Sequence, residues 1–190
     1  HEALTRLGAR HVAPILGSVT ANLEGPALTG AVSLAMLQEF MTTATDGWEL
    51  AKISVRDLMA EADLHAAEAG GDFAGEAERL GVATAELHAD LAVAFGTSTL
   101  SAEQRHERAQ QMHVRLDDAL RVVPALAEVE VGLRATFDGF ATYSGPIRIQ
   151  RVHGDLHLGQ ALRTARRWIV LDFEGEPVAT IAARRQFDSP

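Results

Sequence analysis

The segment spanning residues 151–177 constrains the fold of this chain more than any other stretch. It contains two short apolar runs joined by a basic turn, and the second run, residues 168–171, has the composition of a buried strand. Two strands connected by so short a turn pair antiparallel. Asp155, which precedes the first strand, and Asp172, which follows the second, are therefore expected to converge in one cleft.

Converging carboxylates of this kind suit phosphoryl transfer. In that reaction one carboxylate orients the attacking hydroxyl, while other oxygens hold the magnesium ion that bridges the nucleotide phosphates. Two acidic strand ends would repel each other without a cation between them. The pattern therefore favours a metal-dependent site over a purely structural acidic loop.

The residues around these acids resemble a known family. His153-Gly154-Asp155, with Gln160 five residues after the aspartate, resembles the catalytic loop of the aminoglycoside-phosphotransferase branch of the protein-kinase-like fold. Protein kinases carry a related His-Arg-Asp pattern with an asparagine five residues on, and a later Asp-Phe-Gly. Within that branch, HGDLHLGQ at 153–160 and LDFEGEP at 171–177 most resemble the maltokinases, which use ATP to phosphorylate maltose. Glucosamine kinases share much of this signature, so a kinase for glucosamine or another small molecule is the alternative.

The resemblance implies roles for individual residues. Asp155 corresponds to the catalytic base, Gln160 and Asp172 to magnesium ligands, and Glu174 to a further ligand or a nearby acid. His153 is expected to brace the loop by hydrogen-bonding backbone near Asp172. ATP and Mg²⁺ are the implied cofactors, and maltose or a related sugar is the implied substrate.

Roles are also expected for other side chains near these acids. His157 is expected to help position the phosphates or the acceptor, or to be exposed. Glu176 and Arg184 or Arg185 are expected to line the sugar pocket. The arginines of the basic turn are expected to face solvent; these are Arg163, Arg166 and Arg167.

The N-terminal part of the chain carries a hairpin signal. Residues 15–21 and 31–40 flank a turn-rich stretch at 22–30. In a kinase-like chain these are the last strands of the N-terminal lobe, and residues 36–42 are the hinge whose backbone binds the adenine edge. The candidate ATP-binding residues of this hinge are Gln38, Glu39, Phe40 and Met41. The alternative interpretation of the same residues is an edge strand that runs into an ordinary loop.

The predicted fold class is α+β, protein-kinase-like of the aminoglycoside-phosphotransferase type, with a largely helical C-terminal lobe and a hairpin that remains from the N-terminal lobe. Residues 1–43 are assigned to the end of the N-terminal lobe and the hinge, and residues 44–190 to the catalytic lobe, with truncation expected at both ends. The chain has no glycine-rich phosphate loop, and its single lysine, Lys52, follows the hinge. The isolated segment is therefore expected to bind ATP poorly and to be weakly active or inactive.

Helices are expected between the hairpin and the site. Asp46 is the expected N-cap for a helix over 48–66, with a break near Ser54 and a further break at 70–72. Residues 73–95 form the strongest amphipathic pattern. Ser101 and Gln104 form a capping box for a helix over 101–122 after a loop at 96–101, and Pro124 begins a helix to about residue 140. A strand over 147–152 leads into the catalytic loop. His65, His106 and His113 are expected at the surface, and His88 in or beside the core.

Composition limits the partners. The 190 residues carry a net charge of −9, which argues against a broad nucleic-acid surface. No apolar run approaches the roughly 18 residues of a membrane span. The chain has no cysteine, which fits a cytoplasmic location. A trehalose-converting enzyme, as partner or fused domain, is what the maltokinase resemblance implies.

Two alternatives from other classes remain open. His153, Asp155 and His157 alternate along an extended segment, so they could bind zinc or iron in a hydrolase, with Asp172 and Glu174 as added ligands. A kinase-like fold without catalysis, holding a sugar or a partner protein, is the second alternative. The intact set of Asp155, Gln160 and Asp172 favours the kinase over both.

Overall fold

The computed structural model describes residues 1–24, 30–60 and 73–190. The helices in these ranges are α1 (Glu2–Leu7), α2 (Gly47–Ala60), α3 (Phe73–Phe95), α4 (Ala102–Val122), α5 (Glu130–Thr142) and α6 (Ile181–Arg184), with short 3-10 turns at Pro124–Glu128 and Leu158–Gln160. The strands are β1 (Ile15–Leu23), β2 (Gly30–Gln38), β3 (Thr45–Asp46), β4 (Thr97–Thr99), β5 (Arg148–Gln150), β6 (Ala161–Arg163) and β7 (Trp168–Val170). The predicted α+β class is confirmed.

The chain folds into two compact units. The first, called the site unit, comprises His1–Gly96, Arg151–Gln186 and Pro190. The second, called the helical unit, comprises Thr97–Gln150 and Phe187–Ser189. The lobes inferred from the resemblance, 1–43 and 44–190, refer to a longer kinase fold and stay a prediction.

The predicted N-terminal hairpin is present in the site unit. Strands β1 and β2 pair antiparallel from Ile15 opposite Gln38 to Leu23 opposite Gly30, with two register irregularities. Residues 25–29 of the predicted turn lie outside the described residues. Because β2 ends at Gln38, residues 39–41 of the predicted hinge follow the strand rather than belong to it.

The sheet that carries the site has three strands in the order β3-β6-β7. Strands β6 and β7 form the predicted antiparallel hairpin, with Ala161 opposite Val170 and Arg163 opposite Trp168. The turn between them is held by Thr164, whose hydroxyl donates to the Arg167 carbonyl at 2.7 Å and accepts from the Arg167 amide at 3.0 Å. The ends of the hairpin, at residues 160 and 171, therefore lie side by side.

Helix α3 supplies the core against which this sheet packs. Ala83, Leu87 and Leu91 recur every four residues on one face and are buried. Leu87 and Leu91 belong to one apolar cluster with Leu4, Val12 and Val170, while Ala83 packs with Ala161 and Trp168. The predicted helix over 73–95 is confirmed, and its apolar stripe fixes the position of strand β7.

Helix α2 begins at its predicted cap but differs from the prediction within its length. The Asp46 carboxylate accepts from the amides of Trp48 at 2.9 Å and Glu49 at 3.0 Å. The predicted break near Ser54 is wrong, because α2 is continuous to Ala60. The predicted extension to residue 66, His65 and the break at 70–72 lie outside the described residues.

The helical unit contains the predicted capping box. The Ser101 side chain accepts from the Gln104 amide at 3.2 Å, and the Gln104 side chain accepts from the Ser101 amide at 3.0 Å. The single helix predicted from Pro124 to residue 140 is instead a 3-10 turn followed by α5, which begins at Glu130. Part of the expected loop at 96–101 is strand β4, which pairs with β5, a strand shorter than the predicted 147–152.

Among the described residues, no helix combines the length and the apolar character that crossing a membrane requires.

Candidate active site

His153 connects the loop of Asp155 to the strand that precedes Asp172. Its side chain is buried, and Nε2 lies 2.6 Å from the Leu171 carbonyl oxygen. A carbonyl can only accept, so Nε2 carries the proton, and Nδ1 accepts from the Asp155 amide at 3.3 Å. This is the backbone contact that the sequence analysis predicted. It fixes the loop backbone directly at Asp155.

The two acidic loops also touch through glycines. Gly154 has φ 87° and Gly175 has φ 78°, backbone conformations that residues with a Cβ rarely adopt. A Cβ added at Gly154 would lie 3.3 Å from the Gly175 Cα. The loop that carries Asp155 therefore runs against the loop that follows Asp172, as the hairpin pattern predicted.

Asp155 is partly exposed at this junction. Its amide is held by His153, while its carboxylate has no hydrogen-bond partner among the described residues. A carboxylate in this state is free to accept a hydrogen bond from a ligand hydroxyl. That freedom is what a base for a sugar hydroxyl requires.

Gln160 and Asp172 are neighbours. The Gln160 amide nitrogen donates to the Asp172 carboxylate at 3.2 Å, which leaves the amide oxygen of Gln160 available. The backbone is fixed as well, because the Leu171 amide donates to the Gln160 carbonyl at 2.8 Å. An amide oxygen and a carboxylate side by side match the oxygen ligands that magnesium prefers.

Asp172 has an unusual backbone conformation. Its φ of 53° makes it the single non-glycine residue with positive φ in the described part of the chain. Such conformations cost free energy and persist where neighbouring contacts hold them, often at functional sites. The Asp172 carboxylate also accepts from the Glu174 amide at 3.3 Å, which closes the turn after it.

These residues fit magnesium better than a zinc or iron centre. Both ring nitrogens of His153 are already used by the Leu171 carbonyl and the Asp155 amide, so this side chain cannot bind a metal. In the described ranges, no three His, Asp or Glu side chains are grouped to hold an ion. Magnesium at nucleotide sites takes one or two protein oxygens and completes its shell with phosphates and water. His153 is therefore excluded as a metal ligand, which counts against the hydrolase alternative.

His157 and Arg184 act on the backbone of their own loops. His157 Nδ1 accepts from the Gly159 amide at 3.1 Å and caps the turn that ends at Gln160. The Arg184 guanidinium donates to the carbonyls of Ala179 and Pro177. Glu176 is exposed, and its carboxylate lies 3.5 Å from the Val178 amide nitrogen. Compared with Arg184, Glu176 is thus held by a single long hydrogen bond.

The predicted hinge residues present one donor and one acceptor. The Glu39 amide donates to the Pro14 carbonyl at 3.0 Å, and the Met41 carbonyl accepts from Ala44 at 3.3 Å. The Glu39 carbonyl and the Met41 amide make no hydrogen bond with other described residues. Phe40, between them, is 84% exposed. The Gln38 side-chain oxygen is buried without a partner in the described residues.

A cavity of about 460 Å³ lies between α1, the hairpin and the turn after Asp172. Its wall includes Glu2, Ser18, Ser33, Phe173 and Glu174. The ring of Phe173 packs 4.8 Å from that of His153, so the cavity borders the site. Glu2 is already bonded by Ser18 at 2.9 Å and Arg6 at 3.2 Å.

Two polar residues that position this sheet were missed by the sequence analysis. His11 is buried and hydrogen-bonds the Trp168 carbonyl. Glu76 of α3 accepts from Arg163 and from the Trp168 indole, so the expectation that Arg163 faces solvent is wrong. Hydrogen bonds from Arg79 and Arg163 hold the pKa of Glu76 at about 2, despite partial burial. No local pattern marked either residue as a contact of this sheet, because their partners in the sheet are distant in sequence.

No family model matches the chain. Two curated relatives are glucosamine kinases. The one from Streptacidiphilus jiangxiensis is 36% identical over 155 residues, covering 77% of this chain and 33% of the relative. The one from Mycolicibacterium smegmatis (strain ATCC 700084 / mc(2)155) is 31% identical over 157 residues, covering 78% of this chain and 36% of the relative.

Solved structures of glucosamine kinases are also similar to this chain. A glucosamine kinase in complex with glucosamine, ADP and inorganic phosphate superposes with a TM-score of 0.81 at 29% identity, covering 98% of this chain and 45% of that chain. Crystal form B of a glucosamine kinase gives 0.79, also at 29% identity, and 43% of its chain is covered. This chain thus spans about a third of the length of the curated relatives. The relatives support the kinase part of the prediction and its glucosamine alternative, but not maltose.

Proposed function

We propose that this chain is the catalytic portion of an ATP-dependent glucosamine kinase. The observation that carries the proposal is the likeness, over 98% of the chain, to a glucosamine kinase in complex with glucosamine, ADP and inorganic phosphate. The adjacent Gln160 and Asp172, beside the loop of Asp155, supply the side chains that such a reaction needs. The protein-kinase-like class and the division into lobes at residue 43 are part of the proposal.

Asp155 is the proposed base. A hydroxyl of glucosamine attacks the γ-phosphorus of ATP, an O–P bond forms, and the bond from phosphorus to the bridging oxygen of ADP breaks. The hydroxyl proton passes to the Asp155 carboxylate, which accepts it late because the transition state is loose. His153 keeps the Asp155 backbone in place through the hydrogen bond of its Nδ1 to the Asp155 amide.

Gln160 and Asp172 are the proposed magnesium ligands, with Glu174 as a further acid beside them. When bound, the ion neutralises charge on the β- and γ-phosphates. The contribution of the chain is to hold two oxygens in fixed positions, since Gln160 and Asp172 are bonded to each other at 3.2 Å. His157 caps the turn that presents Gln160, which is a structural role.

Adenine is proposed to bind at residues 38–41. The edge of adenine carries an amino donor and a ring-nitrogen acceptor. The Glu39 carbonyl and the Met41 amide, both without partners among the described residues, have the complementary chemistry. In the sugar pocket Glu176 is the proposed contact, because Arg184 is already bonded to two carbonyls.

Maltose and the trehalose-converting partner are not part of this proposal, because the relatives found are glucosamine kinases. A non-catalytic sugar-binding or partner-binding module is the second candidate from another class. It is less favoured, since Asp155, Gln160 and Asp172 all retain side chains suited to phosphoryl transfer.

The test is ATP consumption by the full-length protein with glucosamine, maltose and an aminoglycoside. Turnover is expected with glucosamine, and Asp155→Asn should reduce it by about 10²–10⁴-fold, the usual contribution of a general base. The matched control is Asp57→Asn, which removes the same charge from an exposed position on α2 and should leave turnover unchanged.

Three other outcomes would change the proposal. Turnover with maltose alone would reject glucosamine and keep the mechanism. If the protein is folded by circular dichroism but consumes no ATP with any of the sugars, catalysis is rejected and the binding module is favoured. Equal activity in Asp155→Asn and the parent would reject Asp155 as the base.

A further inference from the structure

We propose that His11 is a positioning residue for Asp172 and acts through strand β7. The inference rests on the proposed function for its catalytic consequence, while its structural part stands on the contacts of His11 alone. His11 lies outside both acidic loops and was not marked by any motif. It is 8% exposed, and both of its ring nitrogens are hydrogen-bonded.

The first contact joins the side chain to β7. Nδ1 of His11 lies 2.8 Å from the Trp168 carbonyl oxygen, so Nδ1 carries a proton and donates it. Trp168 is itself fully buried, at 1% exposure. A buried carbonyl that lost this donor would stay unsatisfied, since water cannot easily reach it.

The second contact joins the two backbones. The Val170 amide donates to the His11 carbonyl at 2.8 Å, and Val12 forms a parallel bridge with Val170. One edge of β7 is paired with β6, and His11 and Val12 close the other edge. His11 thus bonds β7 with its side chain at Trp168 and with its backbone at Val170.

These bonds lie directly upstream of Asp172. The next residue, Leu171, is held by Gln160 through its amide and by His153 through its carbonyl. Hydrogen bonds therefore hold the backbone at Trp168, Val170 and Leu171, directly before Asp172. Asp172 itself adopts φ 53°. A costly conformation persists only when its surroundings determine it fully. Losing the His11 side chain would let β7 move and would allow Asp172 to relax away from Gln160.

The third contact separates positioning from general stabilisation. Nε2 of His11 lies 2.8 Å from the Glu86 carboxylate on α3, whose side chain is about half exposed. The doubly protonated ring donates to both acceptors, while the neutral form protonated at Nδ1 still holds Trp168. The Trp168 bond acts on β7 directly, whereas the Glu86 bond ties His11 to α3, a helix that carries none of the proposed catalytic or metal-binding residues.

A pair of variants tests the two bonds one at a time. In His11→Asn the side-chain nitrogen stands close to the place of Nδ1 and can still donate to Trp168. In His11→Gln the nitrogen reaches toward the place of Nε2 and can donate only to Glu86. Both variants lose one hydrogen bond and some packing, and His11→Gln should lower the melting temperature of the full-length protein more than His11→Asn, because it leaves the buried Trp168 carbonyl unsatisfied whereas water can solvate the half-exposed Glu86 carboxylate.

Binding of ADP is measured by calorimetry with and without Mg²⁺, and amide exchange of residues 168–172 by mass spectrometry. His11→Gln should weaken magnesium-dependent ADP binding about fivefold to tenfold, leave magnesium-free binding unchanged, and speed exchange in this peptide. His11→Asn should stay within about twofold of the parent in binding and keep the exchange protection. The control pair, His106→Asn and His106→Gln, changes an exposed histidine of α4 and should alter neither readout.

Equal effects of the two His11 variants on magnesium-dependent binding would overturn the proposal, because a merely structural histidine predicts that result. If the parent shows no magnesium-dependent ADP binding, the proposed function fails. The link between His11 and β7 is then judged by exchange, and unchanged protection of residues 168–172 in His11→Gln would overturn it.

Discussion

The site unit and the helical unit hold their polar side chains in different ways. In the site unit His11 and His153 are buried and bind the backbone carbonyls of Trp168 and Leu171. In the helical unit the network between α4 and α5 consists of side chains that are exposed or half-buried. Arg134, 32% exposed in its side chain, binds Asp117 and Glu130, and it also contacts His113, which binds Asp138.

The difference indicates where geometry is strictly fixed. Hydrogen bonds away from water cannot be replaced by solvent, so losing one leaves an unsatisfied group and moves the backbone. Exposed ion pairs contribute little and are screened by salt. The residues that carry the proposed chemistry lie in the unit with buried hydrogen bonds, where small displacements of the backbone are resisted.

The largest expected effect is in the core of the site unit. Trp168→Ala should lower the free energy of unfolding by about 3–5 kcal/mol, because it removes a buried ring and the indole donor to Glu76. Leu116→Ala, at a residue 6% exposed in the helical unit, is the matched truncation and should cost less, about 2–3 kcal/mol. Urea denaturation measures both, and equal losses would contradict the contrast between the units.

The second effect concerns the space around two helical glycines. A Cβ at Gly47 would lie 2.8 Å from the Leu158 carbonyl oxygen and 2.9 Å from that of Ala161. Gly47→Ala should therefore cost about 1–3 kcal/mol through overpacking. Gly132 of α5 has nothing within 4 Å of its added Cβ, so Gly132→Ala should stabilise by about 0.5–1 kcal/mol. The same denaturation experiment gives the sign, and stabilisation by Gly47→Ala would refute the close approach.

A third, smaller effect is the acid sensitivity of the Glu76 cluster. The pKa of Glu76 is about 2 in the folded chain against an ordinary 4.5, so on acidification the unfolded chain takes up this proton first. The stabilisation is complete above about pH 4.5 and is lost progressively as the pH falls toward 2. Melting temperatures between these values should fall less steeply in Glu76→Gln than in the parent. Parallel curves would show that Glu76 is not bonded as described.

The smallest effect is expected at the network of the helical unit. The hydrogen bond from Arg134 is the main cause that lowers the pKa of Asp117, yet Asp117 is exposed and Arg134 is only half-buried. Arg134→Met should change the melting temperature only slightly at low salt and not at all near 1 M salt, where the Debye length is about 3 Å. A large loss that persists in salt would mean that this network resembles the buried bonds of the site unit.

Local patterns predicted much of what was found. The hairpin of β6 and β7, the helix over 73–95, the cap at Asp46 and the capping box at Ser101 all follow from periodicity and from side-chain chemistry within a few residues. Strand β4 could not be predicted, because Thr97–Thr99 is a strand only through its pairing with β5, about fifty residues later. Ser54, where the sequence suggested a break, lies inside α2, and its hydroxyl accepts from the Phe73 amide nineteen residues later, a contact that no local pattern records.

The order of the acids and the amide around one hairpin can be read from the sequence alone, and the resemblance indicates their chemistry. What holds these groups in place follows only from contacts between distant parts of the chain. The His11 ring bonds the Trp168 carbonyl across 157 positions of sequence, and Glu76 bonds the Trp168 indole across 92. Hydrogen bonds between such distant groups form only after the core has excluded water, so no local pattern records them. The positive φ of Asp172 has the same origin, since backbone conformation at a single residue is settled by the bonds that surround it.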